Sequence, residues 1–245
     1  MKIAIIGVGT MGGIFQNALL GNKVFGKSDL FTVDKNDEMK EAGIYLFAVK
    51  PQDFEKAAKG LKGIKGKMII SIMAGVTLRK MENLFPGNTL VRSMPNLGAQ
   101  TGSSMTVWKA KNKLSPKDKQ IIKKILSSIG EEMEVKKEDL IDVATAVAGS
   151  GPGYLYFIAN EMIKDTEKLG FHRAEAEKIV RQTFKGATDV WRDTGLPVEI
   201  LQAKVTSKKG TTEAGIKKLK ENKMSGTIKK CISAAYKRAK ELSKL

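Results

Sequence analysis

Short apolar runs bounded by glycine or proline recur through the first 135 or so residues, at 2–6, 30–33, 44–49, 67–72, 89–92, 104–108 and 132–135. Such runs predict strands buried on both faces. Between them lie stretches of helical spacing. The segment 115–130 shows the pattern: Ser115 can cap, Pro116 suits a first turn and Asp118 adds an acid there. Ile121, Ile122, Ile125, Leu126 and Ile129 then form one apolar stripe, and Gly130 is expected to end it. Alternation of this kind predicts an α/β fold with a mostly parallel sheet covered by helices.

Beyond residue 137 the pattern becomes almost wholly helical, with helices expected over 139–169, 173–194, 196–206, 212–222 and 225–243. In the last, Ile228, Ile232, Ala235, Ala239 and Leu242 recur at helical spacing. We therefore expect two domains, 1–137 and 138–245, with no internal repeat and no low-complexity linker.

The single cysteine, Cys231, excludes an internal disulfide framework and favours a reducing compartment; its place on an apolar helix face makes it a packing residue. Glycines and the polar Gln16 and Asn17 interrupt the start of the chain, so no secretory signal is expected there. No apolar run reaches membrane-spanning length. A net charge of +17 raises nucleic acid as a partner, but arginine supplies only six of the 43 basic residues. Lysines such as Lys217-Lys218 and Lys229-Lys230 read as solvated helix surface. Nucleic acid and membrane are not expected partners, and no metal-ligand pattern stands out; the charge would steer small anions.

Candidate chemistry begins at Gly7-Val8-Gly9-Thr10-Met11-Gly12, which follows one predicted strand and opens a predicted helix. Gly7 suits a tight turn, Gly9 lets backbone approach a pyrophosphate, and Gly12 lets helix and strand pack closely. The helix start then offers N–H groups and partial positive charge to phosphates. This is the dinucleotide site of a Rossmann-type sheet. Asp34 ends the next strand, 22 residues after Gly12, where a carboxylate accepts from the adenine-ribose hydroxyls, which favours NAD over NADP. Lys35 and Asn36 could instead hold a 2′-phosphate, and Asp34 could simply cap a helix, so the cofactor is read as NADPH or NADH. Ala48-Val49-Lys50-Pro51, Ala74 after Ser71-Ile72-Met73, and Pro95-Asn96 close later strands on the same edge, where ligands sit in open α/β sheets.

Gly149-Ser150-Gly151-Pro152-Gly153 breaks an otherwise helical run, at about 1 kcal/mol per interior glycine and about 3 for an interior proline. It reads either as a helix–helix connection or as backbone brought close to a ligand. The lone histidine, His172, reads as a loop or capping residue. Tyr154, Tyr156 and Phe157 read as core or dimer packing.

Together with Phe47-Ala48-Val49-Lys50-Pro51, Ala74-Gly75-Val76, Arg92-Ser93-Met94-Pro95-Asn96, Gly149-Ser150-Gly151-Pro152, and Thr206-Ser207 with Gly210-Thr211-Thr212, the chain resembles the pyrroline-5-carboxylate reductases over essentially its whole length. The resemblance implies an N-terminal Rossmann domain and a C-terminal helical domain that forms a homodimer or larger homo-oligomer. It implies a cytoplasmic enzyme of proline biosynthesis that reduces the C=N bond of 1-pyrroline-5-carboxylate to L-proline with NADPH or NADH. Substrate contacts then fall to Ser150, Gly151, Ser207, Gly210, Thr211 and Thr212, whose hydroxyls and helix-start N–H groups can grip a carboxylate. Thr212 matches the position that hydrogen-bonds the imine nitrogen, and ordinary capping is the competing role for these hydroxyls.

Three departures stand out. Only residues 35–43 separate Asp34 from Ile44, where the family carries a further strand and helix, so a sheet edge is expected to be missing. Ser207-Lys208-Lys209-Gly210 replaces the family's Ser-Pro-Gly-Gly, and Gln202-Ala203 replaces its polar and acidic pair. Alternatives are a reductase of another cyclic imino acid, a β-hydroxyacid dehydrogenase and a non-catalytic basic binding protein. The dehydrogenase needs a lysine general acid/base where this chain has Phe157.

Overall fold

Alternate residues of the central strands feed two different cores. The computed structural model, which describes residues 1–35 and 37–244, contains all seven expected strands: β1 (Ile3–Ile6), β2 (Leu30–Val33), β3 (Ile44–Phe47), β4 (Met68–Ser71), β5 (Thr89–Met94), β6 (Ser104–Ala110) and β7 (Gly130–Glu134). Among the described residues they form one sheet in the order β2-β1-β3-β4-β5-β6-β7. Neighbours run parallel except β5 and β6, which pair antiparallel.

Every residue of β1, β3 and β4 is buried. Side chains alternate across a strand, so such segments need a helical layer on each face. On one face Ile3, Ile5, Ile44, Leu46 and Ile70 meet Phe15 and Leu19 of α1 (Thr10–Gly21). The stripe at Ile122, Ile125, Leu126 and Ile129 joins the same core from the chain around α4 (Pro116–Ser127). On the other face Ala4, Ile6, Tyr45, Phe47 and Ile69 meet Phe54 of α2 (Phe54–Ala58) and Met81 of α3 (Leu78–Leu84). Phe47 and Phe54 pack edge to face at 5.1 Å between ring centroids.

Ser115 caps α4 as its sequence predicts, accepting from the Asp118 N–H at 3.1 Å. Gly130 has a different task from the one expected. The helix ends at Ser127 with Ser128 as its C-cap, and Gly130 opens β7 at φ +143, where a Cβ would lie 2.2 Å from the Ser104 carbonyl oxygen. Glycine is needed there for strand pairing rather than for a helix cap.

β2 is an edge strand. The connection that follows it contains no regular element in its described residues, and it is tied back at its far end. The Ala42 N–H donates to the Tyr45 hydroxyl at 2.9 Å, and the Gly43 N–H to the Lys2 carbonyl at 3.1 Å. The other edge, β7, carries Glu131, Glu132 and Glu134, charges that discourage edge-to-edge association.

By packing, the chain divides into two units: Met1–Pro152 together with the chain from Ser233 onward, and Gly153–Ile232. The first therefore includes α5 (Asp139–Ala144) and a single π-helical turn, Thr145–Gly149, although strand pattern stops near residue 137. Arg92 on β5 explains the attachment. Its guanidinium, 2% exposed, pairs with Glu138 at 3.0 Å and Asp142 at 2.5 Å, and it donates to the Ser243 hydroxyl at 3.2 Å. Ser243 in turn donates to Asp142 at 3.0 Å, so one buried cation joins β5, α5 and the returning C-terminal segment.

The rest of the chain is helical: α6 (Gly151–Lys168), α7 (Arg173–Thr194), α8 (Val198–Lys204), α9 (Thr211–Glu221) and α10 (Met224–Leu242). No side chain of α6 is buried, and Leu155, Tyr156 and Phe157 are 52%, 62% and 68% exposed. Those residues are therefore not core of this chain. His172 is the N-cap of α7, its N–H bonded to Glu175 at 2.9 Å. Among the described residues no helix is long and apolar enough to cross a membrane.

Candidate active site

The three glycines of the first loop differ in what surrounds them. Gly7 sits at φ +98, and a Cβ there would meet Val49 at 2.8 Å and the Ala48 backbone at 3.0 Å. A Cβ on Gly12 would fall 1.9 Å from the Gly7 carbonyl oxygen. Both are demanded by the protein's own packing. Gly9 has φ −66 and nothing within 4 Å of a built Cβ. Neither strain nor crowding requires glycine there, and an open cradle at a helix start is the space a diphosphate needs.

Gly9 is the N-cap of α1, with no side-chain cap and no acid in the first turn. The leading N–H groups and the helix's partial positive charge are thus left to an anion. Val8, Gly9 and Thr10 are exposed and Met11 half-buried, as the backbone of such a cradle must be.

Other predicted residues converge on this loop because β1, β3, β4 and β5 are parallel and end on one edge of the sheet. The Ala48 N–H donates to the Ile6 carbonyl at 2.8 Å, setting Ala48 and Val49 against Gly7. Lys50 is exposed and precedes a short 3-10 turn that begins at Pro51. Ala74 follows β4, beside Gly75 at φ +76, whose backbone lies against Leu242.

Pro95 is buried, and the amide of Asn96 is committed to the fold. It accepts from the Gly98 N–H at 3.0 Å and donates to the Ala148 carbonyl at 3.0 Å. That second bond brings the π-helical turn to the same edge, where Gly149 lies over Met94. Ser150 ends the turn, its hydroxyl donating to the Thr145 carbonyl at 3.2 Å, and Gly151 has open space where a Cβ would be. A π-turn that presents open glycine backbone accounts for the break in helical pattern.

Asp34 follows β2 directly and is exposed. The Gly7 N–H donates to the Val33 carbonyl at 2.9 Å, which holds the end of β2 beside the glycine loop. Asp34 caps no helix: its carboxylate accepts from the Lys35 N–H at 2.8 Å, while its own N–H donates to the Asp37 carboxylate at 2.8 Å. Lys35 is exposed, and Asn36 lies outside the described residues.

The hydroxyl-bearing corner belongs to the helical unit and is described by itself. Gly210, not a hydroxyl residue, is the N-cap of α9, which begins at Thr211, and no side chain caps it. Among the described residues, the hydroxyls of Ser207, Thr211 and Thr212 have no hydrogen-bond partner, so capping does not occupy them. A Cβ on Gly210 would meet the Ser207 hydroxyl at 2.3 Å, which makes glycine necessary for this tight corner.

Lys209 adopts φ +60, the left-handed region that its side chain disfavours. Its N–H is held by the Glu213 carboxylate at 2.7 Å. Lys209→Gly is expected to stabilise the protein by about 0.5–1 kcal/mol, relief of about 1–2 kcal/mol of strain offset by glycine's greater unfolded-state entropy. Thermal unfolding would show this as a rise of about 2 °C.

Two participants escape sequence reading. Arg92 appears there only as part of a motif, and its buried acidic partners are remote in sequence. Asp37 has no motif of its own and gains its position from the turn with Asp34.

Two family models match the chain: one described as pyrroline-5-carboxylate reductase dimerisation, over residues 138–242, and one described as NADP oxidoreductase, coenzyme F420-dependent, over residues 25–75. The pyrroline-5-carboxylate reductase of Aquifex aeolicus is 33% identical over 262 residues, spanning 99% of this chain and 97% of its own. Pyrroline-5-carboxylate reductase 2 of Bacillus subtilis is 33% identical over 211 residues, 85% of this chain and 76% of its own. The crystal structure of the Plasmodium falciparum pyrroline carboxylate reductase with NADP bound superposes with a TM-score of 0.89 at 27% identity, covering 99% of this chain and 98% of that one. With one sheet order, one glycine cradle and similarity sustained from end to end, the chain belongs to the pyrroline-5-carboxylate reductase family.

Proposed function

We propose that this protein reduces the C=N bond of 1-pyrroline-5-carboxylate to give L-proline, the last step of proline biosynthesis, in the cytoplasm. The observation that carries the reading is the 33% identity to a pyrroline-5-carboxylate reductase over 99% of the chain. A nicotinamide dinucleotide, when bound, supplies the hydride that the imine carbon accepts.

The chain's own residues bind and orient. Gly7, Gly9 and Gly12 with the first N–H groups of α1 hold the diphosphate. Val8, Thr10, Met11, Ala48, Val49, Lys50, Pro51, Ala74, Pro95 and Asn96 line the cofactor side, and Asp34 faces the ribose. Ser150 and Gly151, with Ser207, Gly210, Thr211 and Thr212, are assigned to the substrate. The Thr212 hydroxyl orients the imine nitrogen, and the start of α9 takes the carboxylate. An imine protonated in solution needs no general acid, which accords with a lone histidine engaged as an exposed helix cap.

The functional division proposed is a dinucleotide domain over 1–137 and a substrate and dimerisation domain over 138–245. The exposed Leu155, Tyr156 and Phe157 of α6 support a homodimer built on the helical region.

The test is a coupled absorbance assay with pyrroline-5-carboxylate. The native chain should turn over. Thr212→Ala should lose about 100-fold in kcat, the scale of one transition-state hydrogen bond, with dinucleotide affinity unchanged and Thr212→Ser largely restoring activity. Equal loss of turnover and cofactor binding would reduce Thr212 to a structural residue.

A further inference from the structure

In a chain of net charge +17, the turn after β2 is acidic. Its described residues set the carboxylates of Asp34, Asp37 and Glu38 against the single ammonium of Lys35, and all four are exposed. The turn is closed by two bonds. The Asp34 N–H donates to the Asp37 carboxylate at 2.8 Å, and the Asp37 N–H donates to the Asp34 carbonyl at 3.1 Å. One oxygen of Asp34 accepts from the Lys35 N–H at 2.8 Å, and the other has no partner among the described residues.

Lys40, the next cation along the connection, has its ammonium 5.8 Å from the Phe31 ring centroid. The Gly7 N–H bond to the Val33 carbonyl holds the end of β2, where the turn begins, beside the glycine loop. Among the described residues β2 is an edge strand of the sheet, so the turn lies at that edge.

Resting on the dinucleotide site proposed above, we infer that this chain selects NADH over NADPH, with Asp34 and Asp37 as the specificity-determining residues. The free Asp34 oxygen is an acceptor for a ribose hydroxyl, an interaction that a 2′-phosphate removes. The same phosphate would bring further negative charge against two carboxylates that hydrogen bonds hold in place, and like charges at such range repel. Against them the described turn sets one ammonium, that of Lys35. The relative from Plasmodium falciparum was crystallised with NADP bound, so the inferred preference concerns this chain's own turn.

The test is direct binding by titration calorimetry of the full-length protein with NADH and with NADPH, without substrate and at one ionic strength. NADH is expected to bind at least about ten-fold more tightly. Asp37→Asn keeps the acceptor for the Asp34 N–H but removes the charge, and should tighten NADPH about three-fold or more relative to NADH. The Asp34→Ser and Asp37→Asn double variant should favour NADPH. Equal or tighter binding of NADPH by the native chain, or an unchanged ratio in Asp37→Asn, would overturn the inference while leaving the dinucleotide site standing. If neither dinucleotide bound, the site itself would fall and the preference with it.

Discussion

Gly9→Val is expected to lose dinucleotide affinity by on the order of 100-fold or more, while the protein still folds. The backbone at Gly9, φ −66 and ψ −173, is extended and open to any residue, and nothing of the protein lies within 4 Å of the new Cβ. The branched side chain would project into the proposed diphosphate cradle. Valine is a poorer N-cap than glycine, so a loss of up to about 1 kcal/mol, or about 2–4 °C in Tm, is anticipated.

Gly12→Ala should behave in the opposite way. Its Cβ would lie 1.9 Å from the Gly7 carbonyl oxygen, so α1 must move away from β1. A cost of about 3 kcal/mol and a fall of about 10 °C are expected. Calorimetric titration and thermal unfolding of the two variants separate the roles. A Gly9→Val protein that binds NADH and NADPH normally would remove the proposed cradle.

The second large effect is Arg92→Ala. Its side chain is 2% exposed, and its main partner Asp142 is 6% exposed, so truncation would leave a carboxylate buried without its cation. Breaking such a pair costs about 3–5 kcal/mol. Tm should fall by about 10 °C or more, measured by calorimetry or circular dichroism. Replacing Arg92 by Met alone should fare little better, since Asp142 keeps its charge. The double change Arg92→Met and Asp142→Leu should recover much of the loss, because apolar residues of similar volume often match a buried ion pair. Additive losses in the double variant would show that the two residues act separately.

Much of this was readable along the chain. Buried strands such as Ile44–Phe47 announce themselves because apolar runs with abrupt polar ends have few other uses, and α4 carries both its cap and its stripe. The glycine loop was legible for the same reason: spacing, preceding strand and following helix are all local. Gly130 departs from its expected capping role because a glycine after a helical stripe serves equally well as a cap or as a strand start. Which role it takes depends on Ser104, which comes from another part of the chain.

Local sequence therefore carries the elements, their α/β alternation and the glycine loop between β1 and α1, since each rests on contacts between near neighbours or on backbone freedom at single residues. Folding in three dimensions settled the rest: that Gly9 is open while Gly12 is crowded, that Arg92 gathers Glu138, Asp142 and Ser243, and that Asp37 joins Asp34 at the edge of the sheet. Those facts depend on which distant atoms share a volume, and spacing along a chain carries no record of that.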